Sequence, residues 1–164
     1  MDLLWEELTL GISDSRHLTR VIIRLLAATL LGAIDGFERE RAGKPAGLRT
    51  HTLVCLGTAV FVIVCSASSM SLDAMSRVIQ GLATGIGFIG AGTILKLDEQ
   101  RDVKGLTTAA SVWISAAIGI GVGLGSIGIS ALSTILTVII LAVVGALEAR
   151  KEKARREQAR ENLK

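Results

Sequence analysis

Apolar residues fall into five blocks along the chain: Val21–Phe37, Thr52–Ala67, Val78–Leu95, Ala109–Leu124 and Ile127–Leu147. Crossing the hydrocarbon core of a bilayer takes a helix of about 20 mainly apolar residues, within a range of ~17–25. The second and fourth blocks are slightly short and must borrow flanking residues. The pattern predicts an all-α integral membrane protein with five transmembrane helices. It divides the chain into an N-terminal segment (1–19), a five-helix domain (20–147) and a charged helical tail (148–164). The third block differs from the rest, because Gly81, Gly85, Gly87, Gly90 and Gly92 all lie within it. In water each interior Gly costs a helix about 1 kcal/mol against Ala. In lipid, small residues instead let helix backbones approach closely. This block is therefore either a tightly packed helix or one broken on purpose, offering backbone groups to an ion as transporter half-helices do.

Small residues also recur at helical spacing. In the fourth block Ser111, Ser115, Gly119 and Gly123 repeat every four residues, with Ala117, Gly121 and Gly125 as an adjacent strip. Ala83, Gly87 and Ala91 repeat the device in the third, beside Gly81 and Gly85. Residues four apart share a helix face, so the third and fourth spans are expected to cross at close range.

Charge then orients the helices. Arg39, Arg41, Lys44 and Arg49 follow the first block, Lys96, Arg101 and Lys104 the third, and a strongly basic tail the fifth. The loop after the second block offers only Asp73 and Arg77, and the loop after the fourth offers no charge. By the positive-inside rule the N-terminus lies outside and the C-terminus in the cytoplasm. The N-terminus is acidic, so no cleavable signal peptide is expected. A net charge of +3 follows from these loops and does not point to nucleic acid. Residues 3–8, with Trp5, read as a short interfacial helix. The tail reads as an extension of the fifth helix.

The candidate chemistry is sparse. Cys55 and Cys65 stand ~15 Å apart on one helix, too far for a disulfide, and read as small core residues. Arg20, Arg24, Leu31, Asp35 and Glu38 share one stripe of the first helix. Arg24 and Asp35 are ~16 Å apart along it, so each needs a partner elsewhere, while Asp35 and Arg39 are spaced for a local salt bridge. Between Glu38 and His51, Pro45 discourages helix at Lys44, and Gly43 and Gly47 permit turns. Thr107 or Thr108 is placed to cap the fourth helix. Its N-terminus, beside Arg49 and Lys104, would favour an anion, with Glu38 a candidate occupant. Alternatively, Asp35 and Glu38 are metal ligands for a hydrated magnesium ion, which usually contacts one or two carboxylates. Fixed positive charge at Arg24 and Arg77 argues against an open cation pore. No nucleophile sits beside a base and no metal triad is visible, so an enzyme is not expected.

Four runs together resemble the MgtC/SapB family of bacterial inner-membrane proteins: GAIDGFERE (32–40), AGLRTHTLV (46–54), GIGFIGAGTIL (85–95) and VKGLTTAASVWISAAIGIGVG (103–123). The motif positions fall on Gly36, Glu38, Arg39, Gly47, Arg49, Thr50, Gly85, Gly87, Phe88, Gly90, Gly92, Gly105, Thr107 and Thr108. The resemblance implies a multi-pass inner-membrane protein linked to growth at low magnesium and, in pathogens, to survival inside host cells. It also implies a regulator that contacts other membrane proteins, such as the F-type ATP synthase or magnesium-transporting P-type ATPases. The small-residue seams add a homo-oligomer to these expected partners. Asp35 departs from the family pattern, where an apolar residue is expected. Longer members carry a soluble C-terminal domain without a counterpart here, so regulation is expected to rest on the membrane core and tail. Two mechanisms stay open: a regulator docking through its seams, and a cation carrier or sensor using Asp35 and Glu38.

Overall fold

The computed structural model describes residues 14–68, 70–97 and 102–161; the interfacial helix expected over residues 3–8 lies outside them. Among the described residues five helices form around the apolar blocks: α1 (Ser15–Arg41), α2 (Leu48–Ala67), α3 (Leu72–Gly92), α4 (Leu106–Gly123) and α5 (Ile127–Glu161). α5 continues without a break through the charged tail as far as Glu161, as expected. α3 is also unbroken. Its helix starts at Leu72, where the Ser71 hydroxyl accepts from the Ala74 amide, and no unwound glycine segment interrupts it. The third apolar block does not end in helix, however: Leu95–Leu97 (β1) pairs antiparallel with Asp102–Lys104 (β2), Leu95 opposite Lys104. The sequence reading missed this small hairpin because three-residue strands leave almost no periodic signal.

Glycines close the turns where a left-handed backbone is required. At the end of α1, Gly43 has φ +65°, its amide bonds the Glu40 carbonyl and the Lys44 amide bonds that of Arg39. Gly125, φ +92°, does the same for α4, with Gly125 on Val122 and Ser126 on Gly121. Both are Schellman motifs. Gly105 caps α4 at φ +98°, and a Cβ there would stand 2.0 Å from the Thr93 carbonyl oxygen. The expected cap from Thr107 or Thr108 is not formed, because the chain already turns at Gly105 and neither hydroxyl reaches back.

α1, α2 and α4 make the core. Ala28, Cys55, Ala59, Ile118 and Val122 are buried together at its centre. Gly32 and Gly36, four apart on α1, bring that helix onto α2: a Cβ on Gly32 would lie 2.7 Å from Cys55 Cβ, and on Gly36 2.6 Å from Leu48 Cα. The seam on α4 is buried as the repeat predicts, but its partner is α2 rather than α3. Added Cβ atoms would stand 2.1 Å from the Cys55 carbonyl oxygen at Gly119 and 2.7 Å from Val62 Cβ at Gly123. α3 packs on α4 as well, where Gly90 faces Ala109 and Ile86 packs with Val112 and Ala116. Gly81, Gly85, Gly87 and Gly92 have open space where a Cβ would be.

The outer surface is apolar, with Leu53, Phe88 and Ile129 at least 66% exposed. A surface of that kind suits lipid rather than water. Among the described residues four helices, α1, α2, α4 and the Ile127–Leu147 part of α5, are long and apolar enough to cross a membrane. α3 is not among them, since Asp73, Arg77 and Gln80 lie in its first half.

Candidate functional site

Polar groups converge on the α1–α2–α4 core, and each is placed by a close helix crossing. Asp35 stands one residue before Gly36, so the tight α1–α2 contact fixes it in the interior. It is 1% exposed; Oδ2 accepts from the Ser115 hydroxyl at 3.3 Å, and Oδ1 has no partner among the described residues. The expected Asp35–Arg39 salt bridge is not formed. Asp35 is turned toward α4, and Arg39 Nε instead meets Glu38 Oε2 in the one ion pair among the described residues.

Glu38 and Asp35 therefore serve different surroundings. Glu38, Arg39, Lys44 and Thr107 line a cavity of about 450 Å³ that is closed on its far side by α5 from Ile140 to Ala146. Asp35 is not in its lining. Among the described residues no group of three or more His, Cys, Asp or Glu side chains is placed to hold a metal ion. One Glu38 oxygen is taken by Arg39, so the two carboxylates differ in pairing as well as in surroundings.

The other expected site residues scatter. Arg24 finds its partner across the core: Nη1 donates to the Gly123 carbonyl at 2.8 Å. That carbonyl lies in the last turn of α4, where oxygens lack helical donors and the dipole favours a cation. Arg49 is exposed and Thr50 half-buried on the first turn of α2, Arg77 is exposed on α3, and Lys104 is exposed at the end of β2. Thr107 is exposed, whereas Thr108 is buried, with its carbonyl accepting from the Ser111 hydroxyl.

Two participants escaped the sequence reading. His51 is completely buried; Nδ1 donates to the Gly47 carbonyl at 2.9 Å, and Nε2 faces Ser111 Oγ at 3.1 Å. No local pattern announces it, since Ser111 is 60 residues away. Glu40, not Glu38, occupies a helix N-terminus: its Oε2 accepts from the Leu48 amide at 2.9 Å, and the helix is α2 rather than α4. An acid just ahead of a helix start that lacks its own Ser, Thr, Asp or Asn was the available signal. Thr58 and Ser130 complete the polar ties, donating to the Ala116 and Ile118 carbonyls at 3.1 Å each.

Residues 25–150 match the MgtC family. Protein SrpB of Synechococcus elongatus is 44% identical over 129 residues, covering 72% of this chain and 71% of SrpB. An Escherichia coli protein named "Putative magnesium transporter YhiD" is 44% identical over 136 residues, 79% of this chain and 62% of its own length. Protein MgtC of Salmonella typhimurium is 45% identical over 115 residues, 70% of this chain and 48% of its own. The chain thus spans about half the length of that MgtC. No solved structure matches.

Proposed function

The chain belongs to the MgtC family, and from that membership we propose that it serves magnesium homeostasis by regulating a partner transporter or ATPase in the bacterial inner membrane. In this reading the N-terminus is outside, the C-terminus is cytoplasmic, and α3 joins the four apolar helices as a fifth span. The observation that carries it is the open face of α3. Gly81 and Gly85 lie one helical turn apart with nothing where a side chain would begin, and Gly57 of α2 is equally open. Between them runs a groove of about 610 Å³ that includes Phe61 and Phe88. Apolar surface gives little drive for association in lipid, so small residues that admit close backbone approach supply it. The same face accommodates a second copy of the chain in a homo-oligomer.

Photo-crosslinking from Leu82 and Phe88 in native membranes at low magnesium tests this. A transporter or ATPase adduct, lost in Gly81→Leu/Gly85→Leu while the protein still inserts, is the expected result. If only lipid is labelled, the regulator reading is abandoned. Substitutions at Ser115 or Gly119 would not serve, because those positions hold the fold itself.

The second reading is a magnesium carrier. The Escherichia coli relative is named "Putative magnesium transporter YhiD", and Asp35 Oδ1, without a partner among the described residues, is the group such a carrier would use. Saturable magnesium flux into sealed liposomes, lost in Asp35→Asn/Glu38→Gln, would favour it. Absence of flux from folded protein would leave the regulator.

A further inference from the structure

We propose that the cavity between the end of α1, the start of α4 and α5 binds the phosphate of an acidic phospholipid headgroup. The cavity is about 450 Å³ and two-sided: Glu38, Arg39, Lys44 and Thr107 form one wall and the Ile140–Ala146 stretch of α5 the other. Arg39 is 2% exposed, yet only its Nε finds an acceptor, Glu38. The four Nη hydrogens have none among the described residues, although a guanidinium presents five donors. An Arg that lines a cavity and carries a planar fork of donors suits a planar or tetrahedral oxyanion.

The start of α4 reaches the cavity at Thr107. No side chain caps it, and its first helical acceptor is the Gly105 carbonyl, taken by the Ala109 amide. The amides of Leu106, Thr107 and Thr108 are thus left without helical acceptors, and the dipole adds positive potential there. Lys44 is exposed at the rim and reaches inward or outward on a flexible stem. The Glu38 carboxylate faces the same space, but its charge is met by Arg39. The apolar α5 wall suits an acyl chain rather than a free ion, and basic pockets between membrane helices commonly take acidic headgroups.

The test is retention of phosphatidylglycerol against phosphatidylcholine by the full chain, measured by native mass spectrometry after exchange into mixed vesicles. We expect selective retention of phosphatidylglycerol. Lys44→Gln, at an exposed position that leaves the fold alone, should lower it about fivefold, the effect of one basic residue near a headgroup. Glu38→Gln should raise it, a sign that loss of structure would not produce. Equal retention of the two lipids, no effect of Lys44→Gln, or a fall with Glu38→Gln in folded protein overturns the proposal. Saturable binding of orthophosphate without any lipid preference would assign the site to free phosphate and reject the lipid.

Discussion

On α4 a methyl group at Gly119 would stand 2.1 Å from both the Cys55 carbonyl oxygen and Thr58 Oγ1, whereas on α3 Gly81, Gly85, Gly87 and Gly92 meet open space. The two helices carry similar small residues at similar spacing. One seam is closed inside the chain, with Thr58 tying α2 to the Ala116 carbonyl; the other is left facing outward. A small-residue repeat therefore marks where close approach is possible and does not say which helix approaches. Where the seam is closed, the glycines maintain the fold. Where it is open, they are free to serve association.

Substitutions break or sharpen this contrast. The largest effect is expected at Gly119→Ala, because the obstructing atom is a backbone carbonyl that cannot rotate away. A loss of about 3 kcal/mol, the upper end for overpacked cores, should appear as a lowered melting temperature in detergent. A tolerated Ala would mean that α2 and α4 separate easily, and the contrast with α3 would collapse. Next comes Arg24→Gln, which removes the charged donor from the Gly123 carbonyl. Hydrogen bonds to charged groups contribute about 1.5–3 kcal/mol, and the lower end is expected because Arg24 is only half-buried. Thr58→Val keeps the shape and deletes the bond to Ala116, so a loss of about 0.6 kcal/mol is expected, typical of interhelical bonds in membranes. A steric-trap measurement in bicelles resolves a difference of that size. Gly81→Ala is the smallest and has the opposite sign. It should stabilise α3 by a few tenths of a kcal/mol, within the ~1 kcal/mol that separates Gly from Ala. Destabilisation there would show that the α3 face is already covered.

Much of the framework was legible from the residues. Five apolar blocks became five helices, and Pro45 with Gly43 marked the turn between α1 and α2. The stripe on α1 also named Arg24 and Asp35 as charges needing distant partners, which proved to be the Gly123 carbonyl and the Ser115 hydroxyl. The cap of α4 was misjudged. Thr107 and Thr108 have suitable hydroxyls, but the positive φ at Gly105 and the crowding by Thr93 decide how that helix begins. His51 stayed hidden because its side-chain partner, Ser111, lies 60 residues away on another helix.

What the sequence by itself determined is whatever a single segment can encode. The helices, their apolar faces, the glycines in left-handed turns and the family motifs all belong to that class. Only the tertiary structure decided that α2 fills the α4 seam, that Asp35 and Glu38 look into different surroundings, and that α3 keeps an open face. The reason is physical. Periodicity describes one surface, whereas packing requires two surfaces to fit. In lipid, where apolar burial hardly distinguishes one helix from another, van der Waals fit and a few interhelical hydrogen bonds make the choice.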